Sequence, residues 1–199
     1  MKKGKFIVLY SINNLGKSTQ AKLLIDKIKS LGFQAEYLKY PIYSLEPTGP
    51  MLNDYLRNQA QTWQVEKPEA QAIYTLNRLQ AQPELIAKLE AGINIIAEDY
   101  TGTGIAWGMG YGQSFAKLEY LNSMLLKEDY VILFDGERFK EAIETGHTHK
   151  TNEELMAKVR DAHLFLAKQY NWDIINANRS KEEVASEVWQ KVEHLFSLK

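Results

Sequence analysis

The sequence contains no cysteine, which excludes disulfides, thiolate catalysis and cysteine-ligated zinc. It also lacks any apolar run near the roughly 18 residues that a membrane-spanning helix needs. An excess of charge of one sign is missing too: 24 Lys and Arg stand against 25 Asp and Glu, a formal net charge of −1. Such a chain has no broad basic face for a nucleic acid polymer or an anionic membrane, so any anion binding must be local. The start, Met1 to Lys5, is basic like the head of a secretory signal, but the apolar run behind it is short and leads into a loop motif. It is read as a core strand, and a cytoplasmic location is expected. What is present, 45% hydrophobic and 25% charged residues over 199 positions, suits a single domain across 1–199.

The informative stretch comes first. Lys5 to Tyr10 is a β-branched and aromatic run of strand length, and Ala21, Leu24, Ile25, Ile28 and Leu31 recur at helical spacing. Between them, Ser11, Ile12, Asn13, Asn14, Leu15, Gly16, Lys17 and Ser18 fit the phosphate-binding pattern G-x-x-x-x-G-K-[ST] at every fixed position except the first. A loop of this kind turns successive backbone N–H groups and a helix N-terminus toward an anion. Lys17 would reach the outer phosphates of ATP, and the Ser18 hydroxyl would help to hold Mg²⁺. Gly16 permits close backbone approach where a Cβ would intrude. With Thr19, these residues are the candidate nucleotide-binding set.

Further along, Phe33 to Tyr40 reads as a second strand stopped by Pro41. Residues 44–50 read as a loop, Met51 to Leu56 as a helix and 57–67 as a polar loop. Pro68 then sits in the first turn of a long helix to about Glu90, with Ile73, Leu76, Leu85 and Leu89 inward. Ile93 to Ala97 is a third strand that delivers Glu98, Asp99 and Tyr100 at its C-terminal end. The run from Thr101 to Gly112 holds Gly102, Gly104, Gly108, Gly110 and Gly112 with Trp107 and Tyr111 interleaved, and is read as a loop shaped around a ligand. A helix at Phe115–Leu126, a strand at Tyr130–Phe134 and a helix at Glu137–Glu144 follow. Residues 145–151 are polar and unpatterned. Asn152 caps a helix with Leu155, Val159, Ala162 and Leu166 on one face. Trp172–Asn176 is a fifth strand, and Glu182–Phe196 a closing helix with Val184, Val188, Val192 and Leu195 inward. Five buried strands alternating with helices predict a doubly wound parallel sheet, with ligands beyond the strand C-termini.

These residues resemble the thymidylate kinase family nearly from end to end. The resemblance is carried by the phosphate loop continuing through Thr19, Gln20 and Ala21, and by the aromatic-proline turn Tyr40-Pro41 followed by Gly49 and the pair Tyr55, Leu56. It is carried further by Tyr74 with Asn77 and Arg78, by Glu98, Asp99 and Tyr100 where that family has Asp-Arg-Tyr, and by Thr103, Gly104, Ala106 and Trp107. The run from Asn176 to Val184 completes it. The resemblance implies a three-layer α/β/α P-loop NTPase fold with a five-stranded parallel sheet and a short lid at about 136–152. It implies ATP and Mg²⁺ as cofactors, thymidylate as acceptor, and a homodimer formed through the helices after the second and third strands. Tyr74 would stack on the acceptor base, Arg78 would hydrogen-bond a base carbonyl, and Trp107 would line the pocket with Pro41, Tyr100, Thr103 and Gly104. Arg179 would lie against adenine, and Glu98 would orient Mg²⁺ with Ser18 and accept a hydrogen bond from the nucleophile.

The chain departs from that family at four points. Ser11 replaces the first loop glycine, where strain is expected at a turn that wants no side chain, and Asn13 replaces an acidic loop residue. Asp99 and Tyr43 stand where arginines hold the acceptor phosphate. Charge-assisted contacts to phosphate are individually worth roughly 1.5–3 kcal/mol, so Lys39 and Arg57 become the candidate substitutes. The lid offers His147, His149 and Lys150, with Arg138 and Arg160 at its edges; Lys150 is the candidate catalytic cation beside Lys17 and Glu98. The histidine pair without a third ligand makes a weak metal site. Two alternatives stay open on the sequence: a deoxynucleoside kinase, which needs no acceptor-phosphate site, and a nucleotide-binding protein that has lost catalysis.

Overall fold

The first strand, β1 (Phe6–Ser11), is buried at every position, because it lies at the centre of a parallel sheet covered on both faces. A computed structural model describes residues 3–12, 15–57, 65–137 and 153–196. The elements after β1 are α1 (Lys17–Ser30), β2 (Ala35–Lys39), α2 (Thr48–Arg57), α3 (Lys67–Glu90), β3 (Asn94–Glu98), α4 (Thr101–Gly110), α5 (Phe115–Leu121), β4 (Tyr130–Asp135), α6 (Glu153–Tyr170), β5 (Asp173–Asn176) and α7 (Lys181–Val192). The strand order is β2-β3-β1-β4-β5, and every pairing is parallel. Strand alternation divides the core. Ile7 and Leu9 pack with α1, α6 and α7, whereas Phe6, Val8 and Tyr10 pack with the second half of α3. The predicted doubly wound sheet is the observed one.

Several local expectations are corrected by tertiary context. β2 and β5 are partly exposed, because they are the edges of the sheet and only the three inner strands are enclosed. The long helix α3 turns the polar residues Gln71, Thr75 and Arg78 inward in its first half, and Leu76, expected inside, is 51% exposed. α2 begins at Thr48, not Met51, since the Thr48 hydroxyl and Asn77 tie its start to α3. α5 ends at Leu121, and Asn122 caps it. The closing helix passes into a 3₁₀ turn at Glu193–Phe196.

The largest correction concerns the glycine-rich run, which is helical from Thr101 to Gly110. Glycine is a poor helix former, so packing must supply the stability. A Cβ on Gly102 would lie 2.5 Å from Trp172 Cη2 and 2.8 Å from Tyr10 Cζ; one on Gly108 would lie 2.6 Å from Leu118, and one on Gly110 2.6 Å from Val159. The glycines let α4 lie directly against α5 and α6. Gly102→Ala is therefore expected to destabilise the fold by about 1–3 kcal/mol through overpacking, despite alanine's better helix propensity. Leu76→Gln serves as the exposed control, and equal melting temperatures for the two variants would contradict this packing.

His163 on α6 is fully enclosed, its Nδ1 lying 2.9 Å from the Val159 carbonyl. Burial pushes its pKa down to about 4; the Val159 hydrogen bond opposes this, Lys17 adds to it, and Asp99 and Asp135 oppose it. The unfolded chain binds this proton at higher pH than the folded one. Stability is thus complete above about pH 6.5 and is lost as pH falls toward 4. In thermal melts from pH 7 to 4, His163→Leu should lose less stability than the parent, by up to about 1.4 kcal/mol per pH unit. Parallel curves would show that His163 does not titrate this way.

Candidate functional site

The parallel register of β1 with β3 sets Leu9 opposite Glu98 and brings the phosphate loop to the same sheet edge as the end of β3. Ser11 closes β1, fully enclosed, and its hydroxyl donates to the Ile12 carbonyl. The strain expected at Ser11 is not found in its φ: among the described residues, the non-glycine positions with positive φ are Asp99 and Asn171. Ile12 and Leu15 are buried in the core. Gly16 takes the left-handed conformation, φ 76°, at the N-cap of α1, with no side-chain cap on the helix. Among the described residues, no side chain caps the leading N–H groups of α1, as an anion site requires. Thr19 is exposed, and Asn13 and Asn14 lie outside the described residues.

Lys17 is only 8% exposed, and its Nζ lies 2.8 Å from Asp99 Oδ1. Beside it, the Ser18 hydroxyl donates to Glu98 Oε2 at 3.1 Å, and Glu98 is 1% exposed. The second carboxylate oxygen accepts from the Tyr37 hydroxyl at 2.7 Å. Burial first, then the bond to Glu98, raises the Tyr37 pKa and keeps that phenol a donor. Tyr37 was not among the sequence candidates; only the pairing of Lys39 opposite Glu98 across β2 and β3 reveals it. Lys39 itself reaches Glu98 Oε2 at 3.7 Å, so this substitute for the missing phosphate cations already has a carboxylate. Ser18 and Glu98 offer hard oxygen ligands of the kind Mg²⁺ accepts alongside substrate phosphates. Among the described residues, no group of three or more His, Asp and Glu side chains could hold a metal ion, so the phosphates would have to complete the shell.

Across the cleft, Arg78 is 3% exposed. Its Nη1 reaches Asn122 Oδ1 at 3.4 Å, and its Nε has no hydrogen-bond partner among the described residues. Burial lowers its pKa, while the surrounding Tyr10, Tyr100, Tyr40 and Tyr74 phenols work the other way. Gly104 makes room for it, since a Cβ there would stand 2.9 Å from Nη1. Burial also raises the Tyr74 pKa, with Tyr43 and Tyr55 as its nearest phenolic influences. Tyr111 is itself influenced by Tyr55 and packs against Trp107 at 6.1 Å between ring centroids. Arg57 lies over the Tyr43 ring at 5.8 Å, and Lys67 over Tyr111 at 4.6 Å. The wall is therefore aromatic and edged by cations. Tyr55, Tyr111, Gln71 and Asn122 extend the predicted set. Their signal was spread over α2, α3 and the C-terminal ends of α4 and α5, which sequence spacing does not bring together.

Other candidates fall differently. Tyr100 is fully buried against Phe6 and Tyr40, so it forms the floor beneath the pocket. Pro41 follows a cis peptide bond, and Thr103 donates to Asp99 Oδ1 at 3.3 Å. Arg179 lies beyond the end of β5, bonded to the Asn176 carbonyl and paired with Glu187. Arg160 makes a two-pronged pair with Asp135 at 2.6 and 2.8 Å, which holds that carboxyl below its usual pKa and ties the arginine to the end of β4. Lys150, His147, His149 and Arg138 lie outside the described residues, as does most of the predicted lid. A separate cavity of about 710 Å³ is lined by Glu128, Tyr120, Tyr170 and Trp172 among others, and by none of the loop residues, Glu98 or Arg78. Its Glu128 is engaged by Tyr10 and Thr101 at the start of α4.

With this geometry in place, comparison with known proteins adds a consistent result. The family described as thymidylate kinase matches residues 12–188. The chain is similar to the thymidylate kinase of Homo sapiens, at 27% identity over 94% of this chain and 89% of the relative. It is also similar to the probable thymidylate kinase of Thermococcus kodakarensis, at 30% identity over 96% and 98% respectively. In fold it matches a thymidylate kinase structure from Candida albicans with a TM-score of 0.81 and 22% identity, covering 98% of this chain and 93% of that one.

Proposed function

The chain belongs to the thymidylate kinase family, and we propose that it transfers the γ-phosphate of ATP to thymidylate, giving thymidine diphosphate and ADP for dTTP synthesis. The observation that carries this reading is the constellation of Lys17, Ser18 and the buried Glu98 at the adjoining ends of β1 and β3. ATP would lie along residues 11–19 with Arg179 beside the adenine. Lys17 would offset the charge of the outer phosphates. Ser18, with Glu98 acting through water, would hold Mg²⁺, which supplies further charge neutralisation when bound. The acceptor base would stack on Tyr74 and receive a hydrogen bond from Arg78, within the wall formed by Tyr43, Trp107, Thr103 and Gly104. An acceptor phosphate oxygen then forms a bond to the γ-phosphorus in line as the bond to the β,γ-bridging oxygen breaks, and ADP leaves. Positioning and electrostatic stabilisation supply most of the rate. Lys150 would close over the transferring group. We further place the protein in the cytoplasm as a single domain and a homodimer joined through helices that follow the second and third strands, such as α3 and α4.

A second reading, phosphorylation of a nucleoside hydroxyl, draws on Asp99 and Tyr43, which stand where arginines would hold an acceptor phosphate, with Arg57 over the Tyr43 ring. Retention of Lys17, Ser18 and Glu98 together weighs against a retired site. Release of ADP from ATP and Mg²⁺ should occur with thymidylate and not with thymidine; the opposite pattern would overturn the first reading in favour of the second. Lys17→Ala should lower turnover by about a hundredfold or more with an unchanged circular dichroism spectrum, and unimpaired turnover would remove Lys17 from the site. Arg78→Met should raise KM for thymidylate strongly while leaving the melting temperature equal or higher. Arg78 has no carboxylate partner among the described residues, so its removal strands no buried anion. An unchanged KM would contradict its role at the base.

A further inference from the structure

We infer that Asp99 is an affinity-setting residue of the nucleotide site: its carboxylate holds Lys17, and nucleotide phosphate binds by exchanging with that carboxylate. This rests on the reading that Lys17 grips phosphate. The pair is built with care. Asp99 follows β3 in the left-handed conformation, φ 62°, which Asp tolerates better than most residues, and this turn carries its side chain back over the phosphate loop. Oδ1 then accepts from Lys17 Nζ at 2.8 Å and from Thr103 Oγ1 at 3.3 Å. Among the described residues, Lys17 Nζ also reaches the Ser11 carbonyl at 3.5 Å, and the short, charge-assisted bond of this nearly enclosed ammonium goes to Asp99. The neighbouring Glu98 is occupied by Ser18, Tyr37 and Lys39 and does not compete for Lys17.

Of the three N–H donors of this ammonium, the one in the short, charge-assisted bond goes to Asp99. When it turns to the outer phosphates of ATP, Asp99 gives up that bond and its carboxylate faces anionic oxygens. Binding therefore carries the cost of breaking the Lys17–Asp99 pair. The same exchange favours clearance after transfer, because departure of phosphate allows the Lys17–Asp99 pair to re-form. Asp99 thus weakens nucleotide binding while stabilising the nucleotide-free protein, and a single substitution should separate these effects.

The test is calorimetric titration of Mg²⁺–ATP into the full chain without acceptor, alongside thermal melts of the nucleotide-free protein. Asp99→Asn should bind ATP about tenfold more tightly and melt at a lower temperature without nucleotide. A residue with a merely structural role would lower both affinity and melting temperature. Thr103→Val, which releases the hydrogen bond orienting Asp99, should shift both readouts the same way by a smaller factor, and stands in should Asp99→Asn fail to fold. Equal ATP affinity in the parent and both variants would overturn the exchange and leave the proposed reaction intact. Absence of ATP binding in every protein would overturn the phosphate site itself, and the exchange with it.

Discussion

Parallel pairing between β1 and β3 is the constraint on which the site depends. The register that sets Leu9 against Glu98 is fixed by two central strands buried at every position, where a slip would leave ladder hydrogen bonds unmade and side chains misplaced in both core layers. The phosphate loop leaves the end of one strand, and Glu98 and Asp99 leave the end of the other. Lys17 and Ser18 consequently meet two carboxylates that are about 80 positions away in sequence. The proposed site sits at the ends of two strands buried at every position, as accurate positioning requires.

The opposite wall of the cleft follows a different rule. It is built from helices whose inward faces are polar or lack side chains. Gln71, Thr75 and Arg78 occupy inward positions of α3 that a purely structural helix would fill with leucine. α4 approaches them through Gly104 and rests on Trp172, Leu118 and Val159 through its other glycines. A buried guanidinium without a carboxylate is costly to maintain. Its presence beneath a ring of tyrosines, with Nε unpartnered, is what a pocket for a polar, planar ligand group demands. The same region therefore accounts for the unusual composition of the chain between residues 101 and 112 and for the expected acceptor pocket.

Much of this was legible in the sequence. The phosphate loop, the strands and the amphipathic helices α1, α6 and α7 follow from periodicity and one motif, because their signals are local. Val184, Val188 and Val192, and Leu155, Val159, Ala162 and Leu166, are all enclosed as their spacing predicts. The glycine-rich helix was not legible, because glycine disfavours helix locally and the partners that stabilise α4 lie up to 92 residues away. Leu76 misled for the complementary reason, since the polar Gln71, Thr75, Asn77 and Arg78 occupy the inward face of its helix. Ser11 shows that the first loop position needs no left-handed φ in this chain. The Tyr37 bond to Glu98 and the Asp99 bond to Lys17 depend on strand register and on one turn, which residue types alone do not specify.

The most direct measurement is phosphorus NMR of the full chain with ATP, Mg²⁺ and thymidylate, in which each product phosphorus is identified by its own resonance. Growth of the α- and β-phosphorus signals of thymidine diphosphate in step with ADP, as thymidylate disappears, is the predicted result. Transfer to thymidine alone, or ATP that stays intact while bound to the loop, would contradict it.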